Sequence, residues 1–363
     1  MKIALIGNSD ISIYTYRYEL IERLIADGHS VTVITPEGDR VADMMNMGCS
    51  YIETFVDRHG TNPIKDIALF KSYKRILREI KPDVVFSYTI KPNIYASMAC
   101  AKLNIPIVVN VTGLGTAVEN PGWKQLVTTM LYKIAFRKVK TVFFQNEDNM
   151  QFFKDRSIAT EKHKLLPGSG VNLVRFKQRP YPSDETVRFI FISRLMKEKG
   201  IEEYLEAAKV VREQYPEAKF HILGNCEEAY EDILKQATEE GTVIYHGSVK
   251  DVRPYLYDVQ CLVHPSFYPE GMSNVCLEAA ACGRAVITTK RPGCAETVED
   301  AVTGYLVPEQ DAKALTDAIF QFLSLSYEEK VQMGQAGRAR VEREFDRNQI
   351  VTAYEEEIRN CLK

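Results

Sequence analysis

The stretch Pro265-Ser266-Phe267-Tyr268-Pro269-Glu270-Gly271-Met272-Ser273-Asn274-Val275-Cys276-Leu277-Glu278-Ala279 decides how this chain is read. Ahead of it, residues 260–264 form a short apolar run, the pattern of a strand buried on both faces. Two prolines and a glycine then punctuate a loop, and a helix opens near Ser273. The backbone N–H groups of Gly271, Met272, Ser273 and Asn274 lie where a helix start leaves donors unpaired, which suits an anion such as phosphate. Glu270 precedes that position and Glu278 follows it on the helix, so two carboxylates bracket the anion, each able to accept a pair of hydroxyl hydrogens from a diol. An equally open reading makes Glu270 a capping residue and Glu278 a structural helix acid.

The same strand–turn–helix alternation extends in both directions. In the first half, residues 2–6, 30–34, 83–87, 105–110 and 141–145 read as strands, with helices at 11–27 and near 65–80, 91–104 and 123–139. The pattern lapses over 167–186, where Pro167-Gly168 and Arg179-Pro180-Tyr181-Pro182 leave no room for a regular element. It restarts with strands at 187–193, 219–223, 242–245, 260–264 and 284–289 and helices near 200–215, 227–240 and 273–282. Helical patterns over 311–325, 327–344 and 347–362 close the chain. The fold class is α/β: two domains of parallel, helix-covered sheet, with ligands expected beyond the carboxyl ends of the strands in an interdomain cleft. The expected division is 1–176, 177–345 and a closing segment 346–363.

With 363 residues, 45% hydrophobic and 26% charged, the composition excludes disordered, collagenous and coiled-coil classes. No apolar run reaches the length of a membrane-spanning helix, and Gly7 interrupts the opening run too early for a secretory signal, so a cytoplasmic protein is expected. The eight cysteines contain no C-x-x-C pair and read as reduced core thiols rather than zinc ligands. Residues 1–180 carry 25 Lys and Arg against 17 Asp and Glu, a net of +8, whereas residues 181–363 carry 21 against 32, a net of −11. The basic half suits an anionic surface or acceptor; nucleic acid binding by the whole chain is not suggested. Residues 123–140 combine large apolar side chains with five Lys or Arg. They read either as a helix lying on an anionic membrane or as a core helix with a solvated basic edge.

Two further loops carry candidate chemistry. Gly7-Asn8-Ser9-Asp10 follows the first strand but lacks G-x-G-x-x-G, which disfavours a nicotinamide site. Ser9 and Asp10 stand where an acceptor would be met, although a helix-cap role also accounts for them. Ser193-Arg194-Leu195-Met196-Lys197-Glu198-Lys199-Gly200 supplies cations: Arg194 and Lys199 can neutralise a departing diphosphate without a metal, unless this is only a solvated turn.

Together, Ser193-Arg194-Leu195 with Lys199-Gly200, the Glu270 and Glu278 pair spaced E-x7-E, and Gly293-Cys294-Ala295-Glu296 with Gly304-Tyr305-Leu306-Val307-Pro308 resemble retaining GT-B glycosyltransferases of family GT4. In the first half, Phe86-Ser87-Tyr88-Thr89-Ile90-Lys91-Pro92-Asn93 and Val111-Thr112-Gly113-Leu114-Gly115 look like the bacterial branch that builds polysaccharides and glycan precursors on polyprenyl diphosphate carriers.

The resemblance implies two facing Rossmann-like domains, the last helix returning to the first, and a nucleotide sugar as co-substrate, UDP-linked, with no cofactor or metal. It implies that Arg194 and Lys199 contact the diphosphate, Glu270 the donor sugar and Glu278 the ribose, with Gly271, Met272, Ser273, Asn274 and Val275 around phosphates and sugar. The base is expected near Gly224 and Val249, and the acceptor near Ser9, Asp10, Thr112 and Gly113. Many members place a histidine where Thr112 stands, so no essential histidine is expected there; His264 reads as a satisfied histidine at a strand end. The implied reaction is transfer of a hexose or N-acetylhexosamine, with retention, to a lipid-linked saccharide at the inner face of the cytoplasmic membrane. A nucleotide-sugar epimerase of the same fold and a non-catalytic nucleotide-sugar-binding subunit are the alternatives.

Overall fold

A computed structural model describes all residues except Arg58, His59, Thr61, Thr116, Ala117, Glu119, Asn120, Asp184, Leu362 and Lys363. Asp184 of the expected irregular segment, and Leu362 and Lys363 of the expected closing segment, therefore lie outside the described residues. In chain order the first elements are β1 (Lys2–Ile6), α1 (Asp10–Ala26), β2 (Ser30–Thr35), α2 (Val41–Asn46), β3 (Ser50–Glu53), α3 (Pro63–Ile80) and β4 (Val84–Tyr88). They are followed by α4 (Ile90–Leu103), β5 (Ile107–Val111), α5 (Trp123–Ala135), β6 (Thr141–Phe144), α6 (Glu147–Asp155) and β7 (His163–Leu165). The chain continues with β8 (Arg188–Ile192), α7 (Ile201–Gln214), β9 (Lys219–Leu223), α8 (Glu231–Glu239), β10 (Ile244–Tyr245), α9 (Arg253–Asp258), β11 (Cys261–His264) and α10 (Asn274–Ala281). It ends with β12 (Ala285–Thr289), β13 (Gly304–Val307), α11 (Ala312–Ser324), α12 (Tyr327–Glu344) and α13 (Arg347–Cys361).

Two compact units result, Met1–Gly170 together with Arg347–Lys363, and Val171–Asp346. The first division falls before the residue 176 expected from sequence, because the boundary follows contacts and not the proline cluster. In the first unit the strands lie in the order β3-β2-β1-β4-β5-β6-β7, and in the second β10-β9-β8-β11-β12-β13. Neighbouring strands are parallel throughout both sheets. Each sheet therefore begins in its middle and winds outward in both directions. The order reverses between β1 and β4 and again between β8 and β11, which is where an open α/β sheet leaves a crevice for ligand.

Strands such as β5 and β11 are buried along their whole length, as helices on both faces require. Aliphatic and aromatic side chains form separate apolar clusters on each face, in the first unit and in the second. α13 packs into the first unit through Ile350, Val351, Tyr354 and Ile358. Its first residue anchors it: the buried Arg347 guanidinium donates to Gly170 O at 3.0 Å and to Glu19 at 2.9 Å. Further along, Tyr354 accepts a hydrogen bond from Asn110 Nδ2 at 2.6 Å. Ser87 donates to Asn93 (2.7 Å) and Asn93 to the carbonyl of Asn110 (2.8 Å), so a polar chain crosses the carboxyl ends of β4 and β5.

Candidate active site

In the second unit the residues expected to contact the donor lie beyond the carboxyl ends of strands. Arg194 and Lys199 follow β8, Gly224 follows β9, Val249 follows β10, and Glu270 with the opening of α10 follows β11. Because β8 and β11 are neighbours at the reversal of strand order, the cationic loop and the Glu270 loop meet. Backbone bonds tie these loops: Phe267 N–H donates to Glu198 O (2.9 Å), Leu195 N–H to Asn225 O (2.9 Å) and Gly224 N–H to Gly247 O (2.9 Å). Two glycines make the approach possible. Gly200 has φ +79°, and a Cβ there would sit 2.2 Å from Pro265 O; Gly224 has φ +144°, and its Cβ would sit 1.7 Å from Ser193 O.

Lys199 forms an ion pair with Glu270, and both side chains are largely enclosed. Burial pushes the Lys199 ammonium down to about 8. The ring of Tyr268 lies under both cations, 4.7 Å from Lys199 Nζ and 5.4 Å from the Arg194 guanidinium carbon. Arg194 is more open and donates to Glu227 at 2.7 Å. Glu227 was not singled out from sequence, since it lies in the loop after β9 and only the fold brings it to Arg194. Tyr268 lies inside the deciding stretch, but nothing in its spacing announces that it bridges two cations.

α10 begins after Ser273, which makes no side-chain cap. One part of the sequence reading is corrected here: Ser273 N–H is not available to an anion, because it donates to Gly293 O at 2.7 Å. The groups left by helix geometry are the first-turn N–H groups of Asn274, Val275 and Cys276, which have no acceptor four residues back within the helix. Glu278 stands one turn beyond Asn274 on the same face. Met272 is buried in the apolar cluster, so only its backbone borders the site. The Ser273 bond ties the loop after β12 to this helix start, and within that loop Gly293 N–H donates to Glu296 at 2.7 Å.

His264 departs from the expectation of a satisfied histidine. It is buried, and among the described residues neither ring nitrogen has a hydrogen-bond partner. Burial and the neighbouring Lys199 charge push it down to about 3, so it is neutral at physiological pH. His264, Glu270 and Cys294 each bring one potential metal ligand atom within 4.8 Å of the others. Glu270 of that trio is the carboxylate that pairs with the Lys199 ammonium. All eight cysteines are free thiols.

In the first unit Ser9 takes the N-cap position of α1 and makes no side-chain cap hydrogen bond. Asp10 is buried and its carboxylate accepts the Arg40 N–H at 2.8 Å, so it braces the loop after β2. Thr112 and Gly113 follow β5, with Gly113 at φ +139°. Beside them at the reversal of strand order, Thr89 follows β4 with φ +71° and ψ 164°. A β-branched residue is strained in that region, and strain of this sort gathers at ligand sites.

Two doubly wound parallel-sheet units in one chain define a GT-B fold, and solved structures agree. The chain superposes on HepE from Anabaena in complex with UDP and glucose with a TM-score of 0.81, at 19% identity, over 99% of this chain and 100% of that one. A glycosyltransferase from Rickettsia africae gives 0.81 at 19% identity, over 100% and 98%. Residues 2–146 match the family model described as "Glycosyl transferase 4-like", and residues 186–324 match "Glycosyl transferases group 1". The chain belongs to the group 1 glycosyltransferases of family GT4.

It is 26% identical over 372 residues to N,N'-diacetylbacillosaminyl-diphospho-undecaprenol alpha-1,3-N-acetylgalactosaminyltransferase of Campylobacter jejuni, covering 98% of this chain and 97% of that protein. It is also 26% identical over 324 residues to the capsular polysaccharide biosynthesis glycosyltransferase CapM of Staphylococcus aureus, covering 82% and 83%. Among the described residues no helix is long and apolar enough to cross a membrane.

Proposed function

We propose that this glycosyltransferase moves a hexose or N-acetylhexosamine from a UDP-sugar to a saccharide carried on a polyprenyl diphosphate. The transfer proceeds with retention at the anomeric carbon and without a metal, in the assembly of bacterial surface polysaccharide or glycan, at the inner face of the cytoplasmic membrane. The observation that carries this reading is the buried Lys199–Glu270 pair at the reversal of strand order, beside the start of α10. The Campylobacter jejuni relative supports the acceptor class, CapM supports the polysaccharide pathway, and HepE supports the nucleotide.

The pair has a direct chemical use. When a diphosphate enters, Lys199 exchanges the carboxylate for phosphate oxygens, and Glu270 is left to accept hydroxyl hydrogens from the donor sugar. Arg194, released from Glu227, meets the second phosphate, and the first-turn N–H groups of α10 add their partial positive charge. Glu278 takes the ribose diol, while Gly224 and Val249 border the base. As the bond from the anomeric carbon to the phosphate oxygen breaks, the acceptor hydroxyl bonds to that carbon from the same face. Its proton passes to the departing phosphate oxygen. Two fixed cations stabilise the charge developing on UDP without solvent reorganisation, as an oxyanion hole does. Ser9, Asp10, Thr112 and Gly113 border the acceptor, Asp10 through the loop it braces.

The test is incubation with a panel of UDP-sugars and a membrane extract, following UDP release, label transfer and the anomeric configuration of the product by NMR. Acceptor-dependent release with a product of unchanged configuration is expected. Release with sugar isomerisation and no acceptor would instead identify an epimerase, and tight donor binding without release a binding subunit.

A further inference from the structure

One helix of the first unit faces its apolar side away from the protein. α5 buries only Tyr132 and Ala135. Trp123 is 65% exposed, Leu126 72%, Val127 48%, Met130 64% and Ile134 48%. These positions recur at three- and four-residue spacing, so they form a single stripe along the helix. At 100° per residue, Lys124 borders the stripe on one side and Lys133 on the other, and Arg137 and Lys138 follow in the turn that ends the helix. No Asp or Glu occurs between Pro121 and Lys140. Of the two sequence readings of this segment, a core helix with a basic edge is therefore overturned: the basic side chains flank an exposed apolar face. Contiguous exposed stripes of this kind mark interaction surfaces.

We propose that the α5 stripe is a docking surface for an anionic lipid bilayer. Trp123, Leu126, Val127, Met130 and Ile134 enter the boundary between headgroups and acyl chains, and Lys124, Lys133, Arg137 and Lys138 meet lipid phosphates. Charge selects the occupant. Every ionised side chain along the stripe is cationic, so a second copy of this surface would bring like charges together, whereas an anionic bilayer complements both the apolar face and its rim. Trp123 suits this boundary, where its ring is apolar and its N–H finds polar partners. Docked in this way, the first unit would meet the surface at which a lipid-linked acceptor resides. Docking itself requires neither donor nor acceptor, so it fails or stands separately from the transfer chemistry proposed above.

Trp123 is the sole tryptophan of the chain, so intrinsic fluorescence reports on this stripe without a label. Vesicles of phosphatidylcholine with phosphatidylglycerol should produce a blue shift and co-flotation, and vesicles of phosphatidylcholine alone much less of either. The double substitution Leu126→Glu with Met130→Glu should cut the vesicle-bound fraction at least about tenfold, since both apolar anchors are lost. Its melting temperature should match the parent, because both side chains are exposed. Lys124→Glu with Lys133→Glu should also weaken binding, by about fivefold or more per charge. Three results would overturn the proposal: no shift and no flotation with anionic vesicles, equal binding to neutral vesicles, or undiminished binding by the Leu126→Glu, Met130→Glu protein. A dimer that dissociates in that variant, with no lipid binding by the parent, would reassign the stripe to self-association.

Discussion

Lys199 is held beside Glu270 under the ring of Tyr268, and burial keeps its ammonium near 8. It is cationic below that pH and neutral above it, so kcat/KM for the donor should fall as pH rises through about 8. A bound diphosphate retains the proton, which moves the corresponding limb of kcat to higher pH; Lys199→Arg should remove the limb from both profiles. Lys199→Ala and Arg194→Ala should each lower turnover by roughly 100- to 1,000-fold, the scale of losing one charge-stabilising donor, with circular dichroism and melting temperature close to the parent. Near-normal turnover in either variant would remove that side chain from the diphosphate clamp. Both cations were legible in the sequence as residue types after a strand. Their counterions were not: that Glu270 and not Glu227 pairs with Lys199 depends on which loops the sheet places side by side.

At the scale of elements, the site depends on tight crossings of loops at the strand ends. Gly200→Ala would force a Cβ against the carbonyl of Pro265, so a loss of stability of about 1–3 kcal/mol is expected by chemical denaturation, together with a raised KM for the donor. Thr89 presents the opposite case. Thr89→Gly should stabilise the first unit by up to about 1–3 kcal/mol by releasing backbone strain, and should raise the acceptor KM if the strained turn shapes that side of the site. The elements themselves were unequally readable. Buried strands such as β5 and β11 stand out as continuous apolar runs, and α1 and α4 follow as amphipathic stretches. β3, β7 and β13 were not read as strands; all three are edge strands. β3 and β7 are largely open to solvent and short, so no continuous apolar run marks them.

At the scale of the whole molecule, the last helix belongs to the first unit although the second unit lies between them in sequence. Tyr354 packs against Phe86 (5.0 Å between ring centroids) and Phe143 (5.3 Å), and its hydroxyl meets Asn110. Tyr354→Ala should therefore cost about 3–5 kcal/mol in the first unit. Hydrogen exchange should report it as lost protection in β4, β5 and β6, with protection in β8, β11 and β12 retained. Equal loss across both units would show that they unfold as one.

The order of apolar runs and turns determined, without any coordinates, that this chain builds parallel α/β sheet twice. The residue types after the strands pointed to phosphate and sugar chemistry, because strand burial and helix-start geometry are local consequences of sequence. Tertiary structure decided which charges neighbour one another, that the Ser273 N–H is spent on Gly293, that His264 is buried with no hydrogen-bond partner among the described residues, and that the apolar side of α5 faces outward. Each of these depends on residues far apart in the chain, and periodicity along a segment carries no record of what will lie against it.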